Sequence, residues 1–196
     1  MWDRLKRSVA PTLPPVTLAE AKAHLRVDFD DDDTLIAQLV NAAAAAIDGP
    51  NGIGYCLMAQ TWVGTLDGFP PRRISIPLAP FASLTSIDYV DTAGDPQTMD
   101  AADYRVVDGA APAFVEPVFG GTWPSARAVS GAVTVTFVVG AATVAQVPDD
   151  LRHAVLLLVG NWYENRESTI VRHSVARLPD GVADILDRYA IGRIAA

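Results

Sequence analysis

Five aspartates crowd into Asp28-Phe29-Asp30-Asp31-Asp32-Asp33, the densest group of potential metal ligands in the chain. Calcium loops need particular residues at particular positions, and here the positions fail. With Asp28 opening an EF-hand loop, the sixth residue is Asp33, where glycine makes the sharp turn, and the twelfth is Leu39, where a bidentate Glu is required. The run is read as an N-cap and a solvated acidic turn. A solvated run cannot raise one carboxyl pKa above another, so acid/base chemistry is not expected from it. His24, His153 and His173 fall on three different elements without metal-ligand spacing, and each is read as a surface or packing residue. Cys56, the only cysteine, is read as a small buried hydrophobe, which rules out an intrachain disulfide and suits a reducing compartment. No G-x-x-x-x-G-K-[ST], G-x-S-x-G or H-E-x-x-H pattern occurs. The expectation is no enzyme, no catalytic residue, no cofactor and no metal.

A second polar constellation, Tyr163, Glu164, Asn165, Arg166 and Glu167, ends an apolar stretch. An arginine there can pair with a carboxylate on the same helix or on a neighbour. Tyr163, Asn165, Arg166 and Glu167 are read as a structural cluster clamping the next loop, with direct partner contact as the alternative. The helix that positions them opens at Pro148, whose missing N–H suits a first helical position. Asp149 and Asp150 follow in the first turn, where the helix dipole favours negative charge. Leu151, Ala154, Val155, Leu158 and Trp162 then recur at three- and four-residue spacing, while Leu156, Leu157 and Val159 fill the flanks. That pattern predicts a buried central helix.

Thr17 and Glu20 match a capping box, which predicts a helix from there to about Val27. Leu35, Ile36, Leu39, Val40, Ala43 and Ile47 predict a second helix, with Ala42 to Ala46 small enough to admit a close neighbour, and Gly49 to Gly52 end it. From Tyr55 to Gly140 the period becomes alternating. Met58, Gln60, Trp62 and Gly64 share one face of a strand, and shorter runs follow at Arg73–Ile76, Leu84–Val90, Tyr104–Val107, Ala113–Val115 and Val133–Val139. Thr169 to Leu178 has no clear period and is read as a surface loop or as a segment that orders against another subunit. Pro179 and Asp180 open a last helix striped by Val182, Ile185, Leu186 and Tyr189. The fold class is therefore α+β: a helical bundle with an inserted small antiparallel β-sandwich or barrel lobe. Residues 1–16 are expected as an extended or mobile N-terminal tail, with docking of Trp2 and Leu5 as the alternative, 17–54 and 147–196 as the helical body, and 55–146 as the β lobe.

With 196 residues, 50% of them hydrophobic and 19% charged, the chain can bury a sizeable core. Its formal net charge of -8 disfavours non-specific attachment to nucleic acid or an anionic membrane. The arginines are scattered and do not interleave with aromatic residues, so no base-stacking platform is expected, and Trp62 and Trp123 are read as core or turn anchors. No apolar stretch reaches the roughly 18 to 20 residues of a membrane helix. The start meets Pro11, Pro14 and Pro15 instead of an apolar run, so no export signal is expected.

The ordered set of elements resembles the head-tail connector (adaptor) proteins of long-tailed bacteriophages and of phage-derived gene transfer agents. The resemblance is carried by T-L-A-E-A-K-A-H-L-R-V and D-D-T-L-I-A-Q-L-V-N-A-A between Thr17 and Ala43, and by G-Y-C-L-M-A-Q-T-W from Gly54 to Trp62. I-S-I-P-L-A-P-F from Ile74, V-P-D-D-L-R-H-A-V and W-Y-E-N-R-E-S in the central helix, and L-P-D-G-V-A-D-I-L-D-R-Y from Leu178 complete it. It implies a non-enzymatic subunit of a ring, expected as a dodecamer, beneath the portal protein in the neck of a virion or phage-like particle made in the bacterial cytoplasm. The ring extends the channel through which DNA passes without sequence-specific binding, and meets a neck stopper or tail-completion protein. No membrane is involved. Arg172, Arg177, Ile185, Arg188, Tyr189 and Arg193 are the expected partner-binding residues. The alternatives are a neck stopper or tail-completion protein, a β-sandwich binding module, or an enzyme with a divergent site.

Overall fold

The computed structural model describes residues 2–110, 112–165 and 181–191. The chain divides into two compact units, one of Met1–Pro11 with Ala59–Gly140 and one of Thr12–Met58 with Ala141–Ala196. The architecture is α+β, with antiparallel sheets in the first unit and helices in the second.

The first unit contains the strands β1 (Arg4–Val9), β2 (Gln60–Leu66), β3 (Ile74–Ser75), β4 (Phe81–Val90), β5 (Pro96–Thr98), β6 (Tyr104–Val107), β7 (Phe114–Pro117) and β8 (Val133–Val139). They form a five-stranded sheet in the order β1-β2-β8-β4-β5 and a three-stranded sheet in the order β3-β7-β6. Every ladder is antiparallel. The central pair shows why these residues choose extended backbone: β2 and β8 both alternate strictly between buried and half-buried positions. Their register sets Trp62 opposite Phe137 and Gly64 opposite Val135, so the buried residues of the two strands share one face. Phe137 is fully buried there, a placement that contributes about 1.5–3 kcal/mol of transfer free energy. The β4–β5 hairpin is organised by one carboxylate. Asp91 Oδ1 accepts the N–H groups of Ala93, Gly94 and Asp95 at 2.9, 2.9 and 3.0 Å. Gly94 adopts φ +104 within that turn, a backbone conformation that glycine tolerates best.

The start of the chain departs from the expected tail. Arg4–Val9 pairs along β2, and the Trp2 indole seats on Gly64, 6.1 Å from the Phe137 ring, while its Nε1 donates to the Ser75 carbonyl at 3.0 Å. The prolines follow the strand and do not break it. A mostly exposed outer strand rich in Lys and Arg lacks the apolar alternation that reveals a central one. Similarly, β5 is not among the predicted strands, because Pro96-Gln97-Thr98 is exposed throughout and gives no burial signal.

The second unit contains α1 (Leu18–Leu25), α2 (Asp33–Ile47), α3 (Asp149–Glu164) and α4 (Val182–Tyr189). Its core joins Ala21 of α1, Ile36, Val40, Ala43 and Ile47 of α2, and Leu151, Ala154, Val155, Leu158 and Val159 of α3. Val182 and Leu186 of α4 enter the same cluster. The predicted capping box is present at Thr17 and Glu20. The first helix stops before Val27 because Arg26 turns left-handed at φ 57 and its N–H bonds back to the Ala23 and Lys22 carbonyls. Pro148 sits at the N-cap of α3, one residue before the first helical position. The central helix is buried along one side; Leu156, Leu157 and Trp162 are half-buried.

Candidate functional site

No described group of three or more His, Cys, Asp or Glu residues is arranged to hold a metal ion. The acidic turn before α2 is occupied from within the fold. Lys22 Nζ of α1 lies 2.7 Å from Asp30 Oδ1 and 2.6 Å from Asp33 Oδ1, and these two bonds raise the lysine pKa and lower that of Asp30. Asp32 holds the N-cap position without a side-chain cap bond; its Oδ2 accepts the Tyr163 hydroxyl of α3. Asp28 and Asp31 are exposed. The run thus joins three helices, a role its composition did not disclose, because Lys22 and Tyr163 are distant in sequence.

Tyr163 and Asn165 of the expected polar cluster are described: Asn165 Nδ2 donates to the Asn161 carbonyl at 2.8 Å and closes the end of α3. Arg166 and Glu167 lie outside the described residues, as do Arg172, Arg177, Arg193 and His173. His24 and His153 are exposed, and their rings meet edge to face at 6.3 Å, a proximity that their separation in the chain conceals.

Across the α1–α3 boundary, Arg152 Nη2 meets Glu20 Oε1, and Nη1 lies 3.4 Å from Asp149 Oδ1. The other Glu20 oxygen accepts both the Thr17 N–H and its hydroxyl at 2.8 Å. Those Thr17 bonds, with Arg152 behind them, hold the Glu20 carboxyl below the usual glutamate range.

The last helix is held to the start of α3 by Asp150. The Tyr189 hydroxyl donates to Asp150 Oδ1 at 2.8 Å, and Arg188 Nη2 lies 3.4 Å from Asp150 Oδ2. Tyr55 stacks edge-on against Tyr189 at 5.6 Å. The bond to Asp150, followed by burial, pushes the Tyr189 hydroxyl pKa up; burial, followed by the Asp150 charge, does so for Tyr55. Ile191 N–H donates to the Ile53 carbonyl at 2.9 Å and continues the attachment past the helix. Of the residues expected to bind a partner, Ile185 packs on the core and Tyr189 faces Asp150, whereas the Arg188 side chain remains 61% exposed.

In the first unit, Phe69 stacks on Trp123 at 5.0 Å and meets Tyr89 edge-on at 5.5 Å, which makes Trp123 part of an aromatic cluster between loops and β4. A groove of about 560 Å³ beside it is lined by Arg72, Arg105, Glu116, Phe119 and Trp123. Phe119 is fully exposed. Arg105 and Glu116, opposite each other on β6 and β7, form an ion pair on its wall.

No described helix is long and apolar enough to cross a membrane.

Three solved structures resemble the whole chain. A chain from the neck of an empty GTA particle, computed with C6 symmetry, is 26% identical with a TM-score of 0.78, covering 98% of each chain. One from the virion of a native gene transfer agent (GTA) particle is 27% identical with a TM-score of 0.76, covering 98% of this chain and 97% of that one. One from the neck of a native GTA particle, computed with C12 symmetry, is 27% identical with a TM-score of 0.75, covering 98% of each. No curated protein matches the chain. The family described as phage gp6-like head-tail connector protein matches residues 15–67 and 126–189, together more than half of the sequence. Matched through its opening helices, first central strand and closing helices, the chain belongs to the phage gp6-like head-tail connector protein family.

Proposed function

We propose that this chain is a non-enzymatic structural subunit of a ring in the neck of a phage or phage-like particle, made in the bacterial cytoplasm. The ring is a dodecamer that sits beneath the portal protein, extends the DNA channel and receives a neck stopper or tail-completion protein. The observation that carries this reading is the match of 98% of the chain to a chain from a C12-symmetric GTA neck, joined to membership of the connector family. Its net charge of -8 supports a channel role, since an acidic bore lets DNA slide where a basic one would retain it.

Residues 169–196 engage the portal or a neighbouring subunit, with Arg172, Arg177, Arg188 and Arg193 supplying charge. Val182 and Leu186 anchor α4 in the core while the Arg188 side chain on the same helix stays exposed, which supports a contact made from this helix. Ring formation is tested by native mass measurement and negative-stain imaging with and without a portal. Twelve-membered rings that dock on the portal are expected; a chain that stays monomeric in both states, or turns over a substrate, would sink the reading. Arg172→Glu with Arg177→Glu is expected to abolish portal capture while leaving the fold intact.

A further inference from the structure

The two edges of the five-stranded sheet carry opposite charge: β1 is basic, and β5, itself uncharged, is flanked by aspartates. On β1, Arg4, Lys6 and Arg7 are all exposed, with Asp3 as the adjoining acid. At the other edge, the β4–β5 hairpin and its exit carry Asp88, Asp91, Asp95 and Asp100, with no Lys or Arg between residues 88 and 103. Arg127 reaches Gly94 and offsets one of these charges. Among the described residues, neither β1 nor β5 has a further strand beyond it.

Charged outer strands commonly serve to prevent edge-to-edge pairing. Opposite signs on the two edges do more: they repel β1 from β1 and β5 from β5, and attract β1 to the β5 edge of another copy. That selects a head-to-tail contact between unlike patches, the kind that closes into rings, and disfavours a two-fold dimer. Pro96 in β5 lacks an N–H, so charge and not a continuous backbone ladder must dominate the contact. Both strands also lie outside residues 15–67 and 126–189, so the contact belongs to parts of this chain beyond the family match.

We propose that the β1 edge of one copy seats against the β4–β5 edge of the next copy in the ring. This rests on the ring reading above, and names the surface by which neighbours recognise each other.

The test uses two full-length variants. Arg4→Glu with Lys6→Glu makes both edges acidic. Thr92→Lys, Ala93→Lys, Asp95→Lys and Asp100→Asn set three lysines against Asp88 and Asp91 and make the hairpin basic, and the last of these, an amide in place of the carboxylate, retains an oxygen to accept the Ala102 N–H. All of these side chains are exposed, so unchanged thermal unfolding is expected. Self-association, followed by sedimentation at low salt with and without the portal, should weaken about tenfold or more for each variant alone. An equimolar mixture should recover it by alternating the two chains around an even-numbered ring, and added salt should weaken the wild-type ring. Wild-type rings that tolerate both variants, or a mixture that fails to recover, overturn the edge pairing alone. Variants that self-associate normally but no longer enter the neck assign the edge to another component and equally overturn it. Wild-type chains that never associate, alone or with the portal, remove the ring reading and this inference together.

Discussion

Arg152 and Glu20, 132 residues apart in the chain, are joined by an ion pair that ties α3 to the first turn of α1. The same carboxylate completes the Thr17 capping box, so one side chain both starts a helix and docks it. Glu20→Ala is expected to cost about 1–2 kcal/mol by losing the cap and a partly exposed pair together. Glu20→Gln preserves an acceptor for Thr17 and should cost less. The folded-state pKa of Glu20 is depressed, so its contribution is present above the unfolded value of about 4.3 and is lost as pH falls through the folded one. Urea titrations between neutral and acid pH should show this acid-side loss in the wild type and a shallower one in Glu20→Gln; equal slopes would refute the linkage.

Tyr189 makes the corresponding attachment at the far end. An eight-residue helix does not persist by itself in water, so α4 depends on Val182, Leu186 and the bond from Tyr189 to Asp150. Tyr189→Phe should cost about 0.5–1.5 kcal/mol, and amide exchange in α4 should accelerate before exchange in α3 does. The Tyr189 pKa is raised, so its stabilisation is complete below the ordinary tyrosine value of about 10 and disappears as pH rises through the folded one. Tyrosinate absorbance should therefore titrate late, with Tyr55 and Tyr104, both raised first by burial, contributing to the delay. Removing Tyr189 should reduce the late fraction; an unchanged titration would show that the bond is not kept in solution.

These attachments mark the boundary of what local sequence discloses. The capping box, the apolar stripe of α2 and the alternation of β2 and β8 are legible because each follows from spacing within a single element. Glu20 with Arg152, Asp32 with Tyr163 and Asp150 with Tyr189 are not, because composition shows a carboxylate but not which remote donor reaches it. The acidic turn illustrates the difference: its failure as a calcium loop follows from Asp33 and Leu39, whereas its use as a tie between helices required the positions of Lys22 and Tyr163. Outer strands are obscured for a related reason. Arg4–Val9 and Pro96–Thr98 bury too little to impose a period, and in Arg4–Val9 the charge that hides the strand is the property that makes it informative as an edge.

The Trp2–Gly64 contact tests whether β1 is held as a strand. A Cβ built on Gly64 would run into the six-membered ring of the Trp2 indole, so Gly64→Ala must lift that side chain off the sheet. Overpacking of this kind costs about 1–3 kcal/mol, and it should also release the Nε1 bond to Ser75. Exposure of Trp2 should shift tryptophan emission to longer wavelength and make the segment before Pro11 sensitive to protease. The double variant Gly64→Ala, Trp2→Ala should lose the steric penalty. If Gly64→Ala leaves emission and cleavage unchanged, β1 is not anchored in this way.

Ala43 lies in the core that α2 shares with α3, and Ala45 does not. Ala43 is fully buried in the shared core beside Ile36, Val40 and Ile47, whereas Ala45, two residues along the same helix, is exposed. Adding three carbons at Ala43 forces the helices apart or pushes side chains from their rotamers. Ala43→Leu is therefore expected to lose about 1–3 kcal/mol, while Ala45→Leu should stay within about 0.5 kcal/mol of wild type. Because leucine and alanine are both strong helix formers, the contrast isolates packing from propensity. Chemical denaturation of the two variants side by side measures it, and comparable losses at both positions would place the helix boundary elsewhere than along Ala43.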